Sequence, residues 1–179
     1  MDLFRKIIKK QGIYLALIAF IVAADQWSKH LAVLHLKGSD SVQLIDGVFH
    51  LTYVENRGAA FGMLSNHRWI FLICSTLGIL ALICYLFLDR SFLDEKNDEG
   101  KYPPIPFFVG LCVASIIGGG IGNMIDRIRL GYVVDFFDFT LIDFAVFNVA
   151  DSFVTVGAIL LIVLLAIPLF RTKKQEKEP

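Results

Sequence analysis

Residues 105–125 read IPFFVGLCVASIIGGGIGNMI, 21 consecutive residues without a charged side chain. About 20 apolar residues in a helix are enough to cross the hydrocarbon core of a bilayer. Three further runs, at 13–34, 69–88 and 148–170, have similar length and composition. Because 56% of all residues are hydrophobic and only 19% are charged, an ordinary soluble domain is excluded. The sequence predicts an all-α membrane protein, a single domain over 1–179 with four transmembrane helices.

The distribution of basic residues predicts how these helices are oriented. Four lysines and arginines precede the first span, three lie in loop 89–104 and four follow the last span, which makes 11 of the 17. Basic residues accumulate on the cytoplasmic side of membrane proteins. Both termini are therefore expected in the cytoplasm, and the loops 36–68 and 126–147 outside it.

The first span has a second interpretation. Its basic start, the apolar run 13–24 and the small residues before Asp25 also fit a cleavable signal peptide. Cleavage would leave three spans and place the two basic flanks on opposite sides of the membrane. We therefore expect the segment to be retained.

The outer loop between the first two spans predicts a β-hairpin. Apolar residues alternate over 42–45 and again over 49–53, and Asp46-Gly47 lies between these segments. An Asp-Gly dipeptide between alternating runs is a strong hairpin signal. A small extracytoplasmic β-sheet at the membrane surface is expected.

Two acids stand where apolar sequence meets polar sequence. Asp135 lies in GYVVDFFDF and Asp151 in FNVADSFVTVG. Carboxylates beside lipid are unfavourable when ionised and mark functional sites in membrane proteins. Two carboxyl groups that share one proton can activate a water molecule against a peptide bond. Asp135 and Asp151 are the candidate catalytic pair.

Other polar residues are predicted at the same membrane face, where one shared site is the simplest explanation for them: Asp25, Lys29, Asn56, Asn123, Arg127 and Asn148. Structural explanations remain open for some of them. Asp25 and Lys29 can form an i,i+4 ion pair, and Asn148 can cap the last span. Asp138 and Asp143 are expected in solvent.

The third span also contains a small-residue face. Ala114, Gly118 and Gly122 recur at a spacing of four residues, and this pattern favours close helix packing in lipid. Gly119 begins an adjacent stripe that continues through Asn123 and Arg127. Packing accounts for the glycines but not for the two polar residues at the outer end of the stripe.

Five ordered blocks resemble the signal peptidase II family of bacterial membrane aspartyl proteases. They are Asp25-Gln26-x-x-Lys29, Asn56-Arg57-Gly58-Ala59-Ala60-Phe61-Gly62, Gly122-Asn123-x-x-Asp126-Arg127, Val133-Val134-Asp135-Phe136 and Phe147-Asn148-x-Ala150-Asp151. The resemblance spans nearly the whole chain. The acidic loop 89–104 is longer than is usual in the family, but it is predicted to be cytoplasmic.

The resemblance implies that Asp135 and Asp151 cleave a prolipoprotein just before a cysteine that carries diacylglycerol. It also implies that the six other polar residues hold the substrate or shape the site. No metal or cofactor is implied. The expected partners are lipid-modified prolipoproteins and membrane lipid, without nucleic acid, and the protein is expected to act as a monomer in the bacterial inner membrane.

Three alternatives are less consistent with these residues. Ser28 and Lys29 are adjacent and point to different helix faces, so they do not form a serine–lysine dyad. A presenilin-like protease is expected to carry Gly-x-Gly-Asp within a span, whereas the acids of this chain lie at the ends of spans. A small four-helix transporter could use buried acids for proton coupling, but it would not require an outer sheet or polar residues gathered at one face.

Overall fold

Four long helices and one three-stranded sheet make up the part of the chain that the computed structural model describes, residues 2–58, 68–88 and 105–175. In chain order the elements are α1 (Asp2–Leu36), β1 (Val42–Ile45), β2 (Phe49–Asn56), α2 (Arg68–Leu88), α3 (Ile105–Arg129), β3 (Val133–Asp138), a short 3₁₀ helix (Thr140–Ile142) and α4 (Val149–Gln175). The predicted block from Asn56 to Gly62 extends beyond the described residues at Ala59.

The helices confirm the predicted membrane class. Among the described residues, Gln11–Leu36, Ile105–Arg129 and Val149–Ala166 are long and apolar enough to cross a bilayer, and α2 has a shorter apolar segment, Leu72–Phe87. Helix α1 begins before the predicted span and α4 continues past it. The predicted spans therefore mark the apolar centres of longer helices.

Helix α3 lies at the centre of the packing, and its small residues allow close contacts with two neighbours. A Cβ atom on Gly118 would lie 3.0 Å from the side chain of Ile21 in α1. On the adjacent face, a Cβ atom on Gly119 would collide with the main-chain carbonyl of Ala150 in α4. The predicted packing role of the glycines is confirmed.

The hairpin prediction is also confirmed, and a third strand completes the sheet. Strands β1 and β2 pair antiparallel around Gly47, which has a φ of 65°. Strand β3 pairs antiparallel with β2, so that the strand order is β1-β2-β3. The sequence analysis did not predict β3. A buried apolar cluster of Ala32, Leu36, Val134 and Phe136 holds the sheet against the end of α1.

Candidate active site

Strand pairing places Asp135 beside Asn56. Val54 of β2 lies opposite Asp135 of β3, and Asn56 lies opposite Val133. Residues on such a diagonal share one face of the sheet and are within reach of each other. The Asn56 Nδ2 donates to Asp135 Oδ2 at 2.9 Å, and the Asp135 side chain is buried.

The first turn of α4 positions Asp151. Asn148 precedes the helix, and its Oδ1 accepts a hydrogen bond from the Asp151 main-chain N at 2.9 Å. In return, the Asn148 main-chain N donates to Asp151 Oδ2 at 3.3 Å. This reciprocal pattern is a capping box, in which Asp151 takes the place of the usual Glu or Gln. The predicted N-cap role of Asn148 is confirmed.

Asn148 also connects the two acids. Its Nδ2 donates to Asp135 Oδ1 at 2.6 Å, while its main-chain N donates to Asp151 as described. A single buried asparagine therefore contacts both carboxyl groups. The N-cap and the candidate site are two roles of one residue rather than alternatives.

The environment of Asp135 favours its protonated form. The pKa of Asp135 is raised from an ordinary 3.8 to about 7, mainly by burial. The hydrogen bonds from Asn56 and Asn148 lower this pKa, and the nearby charge of Asp151 raises it. A carboxyl group with this pKa can hold a proton near neutral pH while a neighbouring carboxyl group is ionised.

Asn123 holds Asp151 from the other side. Its Nδ2 donates to Asp151 Oδ1 at 2.7 Å, and its Oδ1 accepts from Lys29 Nζ at 2.8 Å and from Asn148 Nδ2 at 3.0 Å. A lysine ammonium can only donate hydrogen bonds, so the amide oxygen of Asn123 must face Lys29. The amide nitrogen then necessarily faces Asp151.

Lys29 lies in a buried ionic cluster beneath the two acids. Its Nζ is 2.9 Å from Asp25 Oδ2 and 3.1 Å from Asp126 Oδ2, and the three side chains are at most 5% exposed. With Asn123, three acceptors satisfy the three ammonium protons. The predicted i,i+4 pair of Asp25 and Lys29 is confirmed, and a second carboxylate joins it.

The carboxylates of this cluster also bind the main chain beside each candidate catalytic acid. Asp25 Oδ1 accepts from the Ala150 main-chain N at 3.0 Å. Asp126 Oδ2 accepts from the Val134 main-chain N at 3.1 Å, and Asp126 Oδ1 accepts from Gln26 Nε2 at 3.0 Å. The cluster thus contacts the residue that precedes Asp151 and the residue that precedes Asp135.

The sequence analysis did not include Asp126 among the candidate site residues. It is three residues after Asn123, on the same face of α3, and it lies within one of the five blocks. Its helical spacing from Asn123 was the available signal. Its burial against Lys29 depends on the contact between α1 and α3, which the spacing does not reveal.

A cavity of about 470 Å³ opens beside Asp151. Arg127, whose Nη1 donates to the Asn123 carbonyl at 3.4 Å, lies at its polar end. The cavity is lined by Asn56, Gly58, Arg127, Phe144, Ala145, Val146, Phe147, Asp151, Ser152, Thr155 and Val156. All eight predicted site residues therefore belong to one connected region: two acids, their amide partners, the ionic cluster and this cavity.

The two other acids of the outer loop differ in their exposure to solvent. Asp143 is exposed, as predicted. The prediction of a solvated Asp138 is wrong, because this residue is half-buried and accepts a hydrogen bond from Thr52 Oγ1 at 2.7 Å. Asp138 lies at the end of β3, where the unpredicted pairing with β2 brings Thr52 within reach.

The donor set of the site does not resemble a metal centre. Within the described ranges, no group of three or more His, Cys, Asp or Glu residues is arranged to hold a metal ion. The acids are held instead by amide groups, main-chain N–H groups and one lysine.

Comparisons with known proteins point to one family, and each match covers most of the chain. A family model described as signal peptidase (SPase) II matches residues 17–167. The lipoprotein signal peptidase of Streptococcus thermophilus (strain CNRZ 1066) is 43% identical over 157 residues, which cover 88% of this chain and 94% of that protein. That of Clostridioides difficile (strain 630) is 42% identical over 149 residues, 83% and 91% of the two chains. A bacterial membrane enzyme solved by the in meso method at 2.3 Å has a TM-score of 0.72 at 30% identity, with 94% of this chain and 93% of that chain covered. The chain belongs to the signal peptidase II family.

Proposed function

We propose that this membrane protease removes signal peptides from diacylglyceryl-modified prolipoproteins by aspartyl-protease chemistry at Asp135 and Asp151. The substrate class follows from its relatives, which are lipoprotein signal peptidases. The observation that carries the catalytic assignment is the contact of Asn148 with both carboxyl groups. Cleavage is proposed just before the lipid-bearing cysteine.

The hydrogen bonds hold both acids in fixed positions. Each of the four carboxylate oxygens accepts one hydrogen bond, from Asn56 and Asn148 on Asp135, and from Asn123 and Asn148 on Asp151. With one proton on the pair, the ionised acid takes a proton from water while the protonated acid donates a hydrogen bond to the scissile carbonyl. The raised pKa of Asp135 favours this acid as the holder of the proton, while the apparent pKa that kinetics report belongs to the pair.

Hydrolysis then proceeds through two bond changes. The water oxygen bonds to the carbonyl carbon, and the proton that it loses passes to the ionised acid. The bond between this carbon and the amide nitrogen breaks as an acid protonates the leaving amine. The products are the carboxyl end of the signal peptide and the free amine of the lipid-bearing cysteine.

The arrangement of the helices supports an extracytoplasmic site. The end of α1, the end of α3 and the start of α4 meet at the two acids. The basic residues within 5–10 and 171–174 belong to the opposite ends of α1 and α4. The positive-inside rule then favours the outer face as the location of the acids.

The proposed protease is one domain that acts as a monomer. Its site takes residues from α1, β2, α3, β3 and α4 of the same chain. The two acids and the amides that hold them come from β2, α3, β3 and the start of α4, and the ionic cluster adds α1. A second copy is not needed to complete the described site.

The test is cleavage of a purified prolipoprotein, with and without its diacylglyceryl group, by the full chain in detergent. We expect cleavage of the lipidated substrate only, with the new amino terminus at the modified cysteine. Equal cleavage of both substrates would overturn the lipid requirement. Proton-coupled uptake into vesicles without any cleavage would favour the transporter instead.

A further inference from the structure

The same tripeptide, Leu-Ile-Asp, stands at two turns of the sheet. Leu44-Ile45-Asp46 leads into the turn between β1 and β2, and Leu141-Ile142-Asp143 follows β3. In the second case the Leu-Ile pair ends the 3₁₀ helix, and Asp143 after it has a φ of 48°. The proposed chemistry uses neither turn, and neither tripeptide has a lysine or arginine beside it.

The two turns are neighbours at one end of the sheet. The Leu141 main-chain N donates to the Val48 carbonyl at 3.5 Å. The rings of Phe49 and Phe139, which lie beside the two turns, have centroids 4.7 Å apart. The two Leu-Ile pairs therefore belong to one surface, which we call the sheet tip and which consists of Leu44, Ile45, Leu141 and Ile142.

The side chains of the sheet tip are exposed although they lie outside the membrane-spanning helices. Leu44 and Ile45 are 55% and 56% exposed, and Leu141 and Ile142 are 67% and 68% exposed. Single exposed apolar residues are common on protein surfaces, but a contiguous group of large ones marks an interaction surface. The sheet tip is thus expected to have a partner.

A cavity under the sheet indicates the height at which the sheet lies. It has a volume of about 330 Å³, and almost all of its surface is apolar. On one side it is lined by α1 from Ser28 to Leu36, and on the other by residues of β2 and β3. This stretch of α1 rises about 12 Å and belongs to the spanning segment Gln11–Leu36. The sheet therefore lies beside the end of the span rather than above it.

The chain that leaves the sheet tip also returns to the level of a spanning helix. Phe144 lines the cavity beside Asp151 together with Thr155 and Val156 of α4. Val156 is about 10 Å along α4 from its first residue, Val149, and lies within the apolar segment Val149–Ala166. The apolar surface of the spanning helices thus continues toward the sheet tip on both sides.

Area and charge favour lipid over protein as the partner of the sheet tip. Four aliphatic side chains that are about half to two-thirds exposed offer less than the about 800 Å² per partner that a stable protein interface buries. Asp46 and Asp143 follow the two pairs and would be unfavourable in the hydrocarbon core. Shallow burial of apolar side chains, about 5–10 Å into the boundary between headgroups and acyl chains, fits both observations.

We propose that the sheet tip inserts into the membrane leaflet that adjoins the two catalytic candidates. Its four aliphatic side chains lie among the upper parts of the acyl chains, and Asp46 and Asp143 remain among the headgroups. The partner is the lipid bilayer, and its contact holds β3, the strand that carries Asp135, at the level of this leaflet. Insertion is measured without any cleavage, so its failure and that of the proposed function are separate results.

Tryptophan fluorescence in phosphatidylcholine nanodiscs tests the insertion. The two tryptophans of the chain, Trp27 and Trp69, are replaced by phenylalanine, and one tryptophan is introduced by Ile142→Trp or by Ile45→Trp. Ser39→Trp is the reference for a solvated position, since Ser39 is exposed in a polar loop. Brominated acyl chains should quench both tip positions, and their quenching by iodide should be roughly fivefold weaker than that of the reference.

Two results would overturn the insertion. One is quenching by iodide at both tip positions as strong as at the Ser39 reference, or quenching by brominated lipid at only one of them. The other is protection from iodide without quenching by brominated lipid, which would mean that a protein surface such as a second copy of the chain covers the tip. Thermal unfolding confirms that each variant is folded, and Leu141→Trp replaces a tip variant that is not.

An added charge tests whether the two turns insert together. Leu44→Asp, combined with Ile142→Trp, places a carboxylate in the first turn and should reduce quenching by brominated lipid in the second turn at least roughly twofold. Gln43→Asp is the matched control, because it adds the same charge at the neighbouring exposed position of β1. It should leave the quenching unchanged. No effect of Leu44→Asp, or an equal effect of Gln43→Asp, would overturn a shared insertion of the two turns.

Discussion

Asn148 both caps helix α4 and connects the two acids. Both functions need the same position, because the cap fixes Asp151 in the first turn of α4 while the side-chain amide faces Asp135. Its Nδ2 also lies 3.0 Å from Asn123 Oδ1. At the scale of single residues, the site is a set of amides that leave each carboxylate oxygen one defined partner.

Replacing either acid by asparagine is expected to abolish cleavage. Asparagine has nearly the shape of aspartate but can neither take a proton from water nor donate one to an amine. Asp135→Asn and Asp151→Asn should each lower the single-turnover rate at least roughly a thousandfold, and the double variant should be no worse, since the two act as one unit.

Asp143→Asn is the control for these variants, because Asp143 is an exposed acid of the same loop. It should cleave like the parent. Asp138 is a poorer control than the sequence indicated, since it is bonded to Thr52. Near-normal cleavage by either of the two site variants would show that the acids are wrongly assigned.

The pH dependence of the single-turnover rate should report the proton on Asp135. Its pKa is raised to about 7, so the fold holds this proton at pH values where an unfolded chain with a pKa of 3.8 has lost it. The proton is lost as pH rises through about 7, and the single-turnover rate should fall above that pH. Because the folded state binds this proton more tightly than the unfolded chain does, the contribution of Asp135 to the free energy of unfolding falls as pH rises from about 4 to about 7.

Asn56→Ala should shift this alkaline limb. The hydrogen bond from Asn56 lowers the pKa of Asp135, so its removal should raise that pKa and move the fall in rate to higher pH. Single-turnover rates from pH 5 to 9 test this, with the variant and the parent compared in the same detergent. A limb that stays in place or moves to lower pH would contradict the assignment.

At the scale of elements, a buried ionic cluster joins α1, α3, β3 and α4. Lys29→Ala would leave the carboxylates of Asp25 and Asp126 buried without their cation. Breaking a buried pair in this way costs about 3–5 kcal/mol, and activity should fall with the unfolding midpoint. Thermal unfolding in detergent measures this effect.

The matched control is Lys37→Ala. Lys37 pairs with Glu55 at 3.2 Å, but the two side chains are 51% and 29% exposed. The solvent screens such a pair, so its loss should change the unfolding midpoint far less than the loss of Lys29 does. A similar effect of both substitutions would mean that the buried cluster contributes little.

The contact between α3 and α4 should tolerate no added methyl group at Gly119. Its Cβ would meet the carbonyl of Ala150, the residue before Asp151, so Gly119→Ala should displace the first turn of α4. Overpacking of this kind costs about 1–3 kcal/mol, and cleavage should decrease.

Gly78→Ala provides the comparison, since nothing lies within 4 Å of a Cβ atom at that position in α2. Its effect on stability should be neutral or favourable by up to about 1 kcal/mol, from helix propensity alone. Unchanged cleavage by Gly119→Ala would exclude the proposed coupling between this contact and Asp151.

At the scale of the whole molecule, the proposed orientation puts the acids outside the cytoplasm. The 11 basic residues of the termini and loop 89–104 outnumber the remaining 6 of the 17. A reporter fused after Lys177 should be active in the cytoplasm, and one inserted at 39–41 should be active outside it. The reverse pattern would overturn both the orientation and the location of the site.

The sequence by itself determined what depends on neighbouring residues. Apolar runs identified the spanning helices, the Asp46-Gly47 turn identified the hairpin, and Asn148 was predicted as a helix cap. The i,i+4 pairing of Asp25 and Lys29 followed from helix geometry alone. These features repeat at fixed short spacings, so the local sequence contains the necessary information.

Only the tertiary structure decided how distant segments meet. Strand β3 pairs with β2 although Asn56 and Asp135 are 79 positions apart, and no local pattern indicates this partner or its register. The position of Asp126 against Lys29 and the cavity beside Asp151 likewise arise from packing. The residue types were enough to identify the candidate acids. The hydrogen bonds around these acids exist only because separate elements are held together by buried contacts.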